Sequence, residues 1–230
     1  MSAGRIRSAH MQAARPGAQP PALDEFEAKR LLAAYGVPVV GEARARDAEA
    51  AAAAAARLGY PVALKALGPR FVHKTELGLV HLALADEAAL RAAASALLAA
   101  MQGQGELLVQ QMVRGEREFL AGMVRDEQFG ATVSFGLGGI FAEALADVVL
   151  RIAPLGHDDA DEMLGEIRAR ALLGPVRGLP AVDREPLVAT LLGLSRLALE
   201  HPEIAAVDIN PLVVSGSRPV AVDALILLQP

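Results

Sequence analysis

The run Ile204-Ala205-Ala206-Val207-Asp208-Ile209-Asn210 reads as a strand with a carboxylate and an amide two residues apart, so both side chains face one side of a sheet. Asp223 lies on the strand expected to return from it. If Ser215-Gly216-Ser217-Arg218 is the connecting loop, Asn210 falls directly opposite Asp223, with Cβ atoms about 5 Å apart. Three oxygen-bearing side chains on one face suit a hard cation such as Mg²⁺, which takes one or two protein oxygens and completes its octahedron with phosphate and water. The bland alternative is that Asp-x-Asn-Pro only starts a turn, since Asn-Pro is a common turn initiator.

Other residues could handle a phosphorylated ligand. Phe135-Gly136-Leu137-Gly138-Gly139 follows a strand directly, where backbone amides could approach an anion, or where the chain simply turns tightly. The spacing matches neither a Walker nor a dinucleotide fingerprint. Lys65 is the lone charge inside the apolar strand Val62 to Leu67, so burial demands an anionic partner, either a phosphate or a neighbouring carboxylate. Glu118 opens another apolar strand. It could meet a ribose hydroxyl or a metal, or start an exposed hairpin. The loop Phe71 to Gly78 carries His73, Lys74, Thr75 and Glu76, as expected of a phosphate-covering lid. A loop histidine is commonly just solvated, but neutral imidazole can also accept a phosphoryl group and pass it on.

The elements that position these groups follow from capping and periodicity. Asp24-x-x-Glu27 opens a helix with Ala28, Leu31, Leu32 and Tyr35 at helical spacing, ended by Gly36. A strand is expected at Val37 to Val40, a helix from Asp47 to Leu58, strands at Val62 to Leu67 and Val80 to Leu84, and a helix from Asp86 to Met101. A buried strand at Leu107 to Val113 leads through Gly115 to a hairpin, Glu118 to Val124 and Ala131 to Phe135. Helices are expected at Phe141 to Asp147, Asp158 to Leu173 and Arg184 to His201, followed by strands at Ile204 to Ile209 and Val220 to Ile226. Strands and helices mix without strict alternation, which favours an α+β fold of two lobes over a doubly wound parallel sheet. The expected organisation is a disordered tail over residues 1–22, an N-terminal lobe over 23–113 with a lid loop at 68–79, and a C-terminal lobe over 114–230.

Composition narrows the partners. Aromatic residues make up 3% of the 230-residue chain, too few to stack nucleic-acid bases, and a net charge of −5 offers no general field for polyanions or anionic lipid. Neither nucleic acid nor a membrane is expected as a partner. The absence of cysteine removes disulfides, thiol nucleophiles and thiolate metal sites, and fits a cytoplasmic setting. No apolar run reaches the ~18 residues of a membrane span, and the first 22 residues lack a secretory pattern.

Taken in order and spacing, five stretches resemble the ATP-grasp domain of ADP-forming acyl-CoA synthetases, which is related to the succinyl-CoA synthetase β subunit. They are Val62 to Lys65, His73 to Gly78, Val109 to Glu118, Phe135 to Glu143 and Asp208 to Leu212. The resemblance implies that Lys65 binds ATP phosphates, that Gln110, Gln111, Met112 and Val113 form the adenine hinge, and that Glu118, Gly138 and Gly139 contact the nucleotide. It implies Asn210 and Asp223 as Mg²⁺ ligands, Asp208 as the carboxylate that steadies an incoming phosphohistidine, and His73 as the lid histidine relaying phosphate to ADP. Leu79 stands where the family usually has a second glycine, which implies a stiffer lid. The chain has no room for CoA-binding and swivelling phosphohistidine domains, so an α-type partner subunit is expected to supply them. Two other readings are a module that binds ATP without transferring phosphate, and another ATP-grasp carboxylate ligase active alone.

Overall fold

In the computed structural model of the chain, residues 21–68, 71, 74, 77–139 and 145–229 are described. They fall into two compact units, one of Asp24–Glu27 and Val40–Val113, the other of Ala28–Val39 and the chain from Arg114 onward together with the first strand.

The smaller unit is built from alanine-rich helices on a four-stranded antiparallel sheet. In chain order it contains β2 (Glu42–Ala45), α2 (Ala48–Leu58), β3 (Val62–Leu67), β4 (Val80–Leu84), α3 (Glu87–Ala100) and β5 (Glu106–Gln111), with strand order β2-β5-β3-β4. Asp47 and Asp86 cap the two helices, accepting from the amides of Ala50 (2.7 Å) and Ala89 (2.9 Å), which satisfies orphan first-turn donors. Small residues at Ala51, Ala55 and Ala94 let both helices lie close on Val62, Leu64, Ala66, Leu107 and Val109. The opposite face of the sheet is left with Glu42, Ala63, Lys65, Leu108 and Gln110, because side chains alternate along a strand and Cα partners share a face.

The larger unit holds a seven-stranded sheet. Its elements are β1 (Ala22–Leu23), β6 (Arg117–Asp126), β7 (Gly130–Leu137), β8 (Val148–Ile152), α4 (His157–Glu166), a 3₁₀ turn (Arg168–Leu173), α5 (Glu185–Glu200), β9 (Ile204–Ser215), β10 (Arg218–Ala221) and β11 (Ala224–Leu228). The strands run in the order β1-β11-β9-β6-β7-β8, with β10 also paired to β9. Phe119 and Phe135 stack with centroids 5.5 Å apart inside a core that α4 and α5 cover with Met163, Leu164, Leu191 and Leu194. The helix α1 (Glu25–Ala34) begins in the smaller unit and ends in the larger one.

The structure departs from the sequence expectation in several places. Val39 forms only an isolated parallel bridge to Ala221, and the strand begins later, at Glu42; Pro38 cannot donate to a ladder, although its carbonyl accepts from the Ala221 amide at 2.8 Å. The helix expected over 158–173 breaks at Ile167, where ψ is 141°, because the buried carboxylate of Asp147 takes the amides of Arg168 (2.8 Å) and Ala169 (2.7 Å) and starts a new turn. Strand β8 was not anticipated, and most of the helix expected over 141–147 lies outside the described residues. Ala22, assigned to the tail, instead pairs with Leu227 at the sheet edge.

Candidate functional site

Strand β9 carries Asp208 and Asn210, two of the candidate residues. Arg218, Val220 and Ala221 pair with Ser215, Val213 and Leu212, while Ala224 and Leu225 pair with Ile209 and Asp208. The register is the same on both sides of the two-residue gap between β10 and β11, so Asn210 falls opposite Asp223, as loop length predicts. Val207, Ile209, Leu212 and Val214 face the core, which turns Asp208 and Asn210 to the other face. On its second edge β9 meets β6 with a register shift: Phe119 pairs with Leu212 and Ala121 with Ile209. Asn210 and Pro211 therefore share one partner, Leu120. Such a bulge bends a strand and re-aims a side chain, a device common beside functional sites.

Glu118 lies opposite Val213, on the same face as Gly122, which pairs with Asp208. The glycines after β7 pack against it. A Cβ at Gly138 would sit 2.6 Å from the carbonyl oxygen of Phe119, and one at Gly139, where φ is +67°, would sit 2.5 Å from Glu118 Oε2. The amides of Leu137 and Gly138 donate to Asp147 and Glu118 carbonyls at 3.0 and 2.9 Å, so close packing, rather than an anion cradle, explains that pair of backbone groups. Glu118, Gly138 and Gly139 are brought together; Gly139 is the member whose backbone conformation needs glycine.

In the smaller unit, Lys65 and Gln110 are buried at 7% and 4% exposure on the face of the sheet away from the helices. Lys65 Nζ donates to Glu25 Oε1 at 2.6 Å, and Lys74 Nζ donates to Glu25 Oε2 at 2.5 Å. Glu25 is thus a neighbouring carboxylate of the kind expected for Lys65. Of the hinge residues, Gln110 and Gln111 end β5 and Met112 and Val113 follow it: the Gln111 amide donates to the Gly41 carbonyl at 2.9 Å, the Met112 amide reaches Pro61 O at 3.4 Å, and Val113 is half-buried. Leu79, 8% exposed, anchors the end of the loop in the alanine core, with its amide on Lys74 O and its carbonyl accepting from Ala66. His73 lies outside the described residues, as do Thr75 and Glu76.

Sequence reasoning missed two charged residues of α1. Glu25, Ala28, Lys29 and Leu32 are all buried and stand at i, i+3, i+4 and i+7, so two opposite charges occupy an apolar stripe. Lys29 Nζ approaches the carbonyl of Val222, beside Asp223, at 3.4 Å. A charge at a core position of a helix is the signal that could have found both.

The donors at Asn210 and Asp223 are amide and carboxylate oxygens, hard ligands that fit Mg²⁺. Among the described residues no three His, Cys, Asp or Glu converge on a metal-holding geometry.

A model of the ATP-grasp domain matches residues 16–228. The chain belongs to the ATP-grasp family. Over 212 residues this ATP-grasp chain is 38% identical to the β subunit of ADP-forming acetate–CoA ligase I of Pyrococcus furiosus, covering 90% of this chain and 91% of that one. It is also 38% identical to the Archaeoglobus fulgidus acetate–CoA ligase I, covering 86% of this chain but 30% of that longer one. An acetyl-coenzyme A synthetase of Ca. Korarchaeum cryptofilum superposes with a TM-score of 0.80 at 36% identity, over 96% of this chain and 99% of the other. That structure holds coenzyme A and Mg-AMPPCP, with its phosphohistidine segment pointing towards the nucleotide-binding site. No helix among the described residues is long and apolar enough to cross a membrane.

Proposed function

We propose that this ATP-grasp chain is the nucleotide-handling β-type subunit of an ADP-forming acyl-CoA synthetase. It works in the cytoplasm with an α-type subunit that supplies the CoA-binding and phosphohistidine domains. The reaction is reversible conversion of acyl-CoA, ADP and phosphate to carboxylate, CoA and ATP. Family membership supports the reaction class. The observation that carries the residue assignment is the register that puts Asn210 opposite Asp223 on a bulged strand, with Asp208 on the same face.

In this reading Gln110, Gln111, Met112 and Val113 line the adenine, Glu118, Gly138 and Gly139 contact the nucleotide, and Lys65 meets its phosphates. Asn210 and Asp223 would hold Mg²⁺, which would neutralise phosphate charge. An ADP β-phosphate oxygen attacks the phosphorus of a phosphohistidine, the phosphorus–nitrogen bond breaks, and imidazole leaves as ATP forms. His73 relays the phosphoryl group and Asp208 orients the histidine that delivers it. Little covalent work falls to the protein; positioning and electrostatic stabilisation carry the rate.

The test is calorimetric titration of ATP with and without Mg²⁺ on the wild type and on Lys65→Met, which keeps the apolar stem. Mg²⁺-dependent binding, lost by at least about tenfold in the variant, is expected for a lysine paired with phosphate. Equal binding by both would remove Lys65 from the site.

A further inference from the structure

The least expected contact in the smaller unit is one carboxylate serving two ammoniums. Glu25 stands in the first turn of α1 with its side chain only 3% exposed. One oxygen takes Lys65 from the middle of β3, and the other takes Lys74 from the loop after it. The lysine side chains are themselves 9% and 13% exposed. A structural ion pair on a sheet face needs one lysine. Bringing a second buried ammonium to the same carboxylate sets like charges side by side and costs desolvation twice. Two lysine ammoniums held side by side on one carboxylate are also a geometry that suits phosphate oxygens. Lysine also binds phosphate as a point charge on a flexible stem, so its direction must come from something else.

We propose that Lys74 is a second phosphate-binding cation and that Glu25 is the positioning residue that aims it and Lys65 together at the phosphate chain of the nucleotide. This rests on the assignment of Lys65 to the phosphates made above. Glu25 touches the lysines and not the ligand, so it acts through them. Each of its oxygens fixes one Nζ, and so gives each flexible ammonium a defined position. A mere competitor for the lysines would have the opposite effect on affinity, which makes the sign of the change decisive.

The test titrates ADP and AMP, each with Mg²⁺, into the full chain and into Lys74→Met, Glu25→Gln and Glu25→Asp. Lys74→Met and Glu25→Gln should each weaken ADP by about tenfold, as loss of a charge-assisted contact does, while AMP, with no β-phosphate, changes by less than about twofold. Glu25→Asp should recover part of the loss. Lys74 sits on a loop, so its variant is informative even if the Glu25 variants melt early. An unchanged ADP-to-AMP preference in Lys74→Met, or tighter ADP binding by Glu25→Gln, overturns the inference while leaving the Lys65 assignment standing. If the wild type itself shows no Mg²⁺-dependent preference for ADP, the assignment beneath it has failed and the inference falls with it.

Discussion

Asp223 is exposed and sits where the strand is interrupted, outside the hydrophobic core. Its value lies in standing opposite Asn210. Replacing both with alanine should therefore cost no more than about 1 kcal/mol, since Asp223 is exposed and Asn210, though half-buried, faces away from the core. The same variant should lose the Mg²⁺-dependent part of ATP binding, read by calorimetry. Retained Mg²⁺ dependence would remove the pair from the metal. Gly138 makes the contrasting case. A methyl group there would meet the Phe119 backbone at 2.6 Å, and backbone in the middle of a seven-stranded sheet cannot step aside. Gly138→Ala should cost about 1–3 kcal/mol in urea unfolding, the range for forcing an extra carbon into packed structure. At this scale the sequence makes Asp208, Asn210 and Asp223 legible because strand alternation and a short loop fix their geometry. Helical period can mark Glu25 and Lys29 as charges at core positions, but Lys65, Lys74 and Val222, which they touch, lie far along the chain and no local period reveals those.

Elements with their own caps and periods are the legible ones. Asp47 and Asp86 announce α2 and α3, and β3 runs over the residues its apolar pattern marks. Two of the failures, the broken helix and β8, share a cause: long-range contacts override a local pattern. Asp147 breaks a helical stretch from twenty-one residues away in sequence, and β8 exists because β7 offers it an edge. Arg117 shows how strongly such a contact can bind irregular segments. Its guanidinium, on a residue 4% exposed, donates to the carbonyls of Leu172 and Gly174 (both 3.1 Å), Pro180 (2.9 Å) and Gly216 (3.0 Å). The 3₁₀ turn, the chain leading to α5 and the turn between β9 and β10 are thus tied to the first residue of β6. Arg117→Met should destabilise the protein by about 3 kcal/mol or more, since several buried carbonyls lose a charged donor at once. Hydrogen exchange should accelerate in those three segments before it does in the strands. A uniform increase across the whole sheet would mean that the guanidinium supports the core generally rather than these loops.

At the scale of the whole molecule the question is which steps this chain completes unaided. It spans 91% of a β subunit that exists as a separate chain, yet 30% of a single-chain relative. The second comparison means that the longer protein devotes most of its length to something this chain does not match. In the proposed division of labour that remainder handles CoA and the acyl group. The 230-residue chain mixed with acetyl-CoA, ADP, phosphate and Mg²⁺ should therefore make no ATP above background, and adding an α-type subunit should start turnover. His73→Ala should bind Mg²⁺ and ATP within about twofold of the wild type, because the imidazole is assigned to transfer and not to holding the nucleotide. With the partner present, the same variant should lose turnover by on the order of 10³-fold, the scale on which removing a covalent group acts. Labelled phosphate should appear in acid-labile form on the wild-type chain and not on the variant. Full turnover by His73→Ala would mean that phosphate passes directly between the partner and ADP. Turnover by the chain alone would instead favour a self-sufficient ligase and dissolve the argument for a partner.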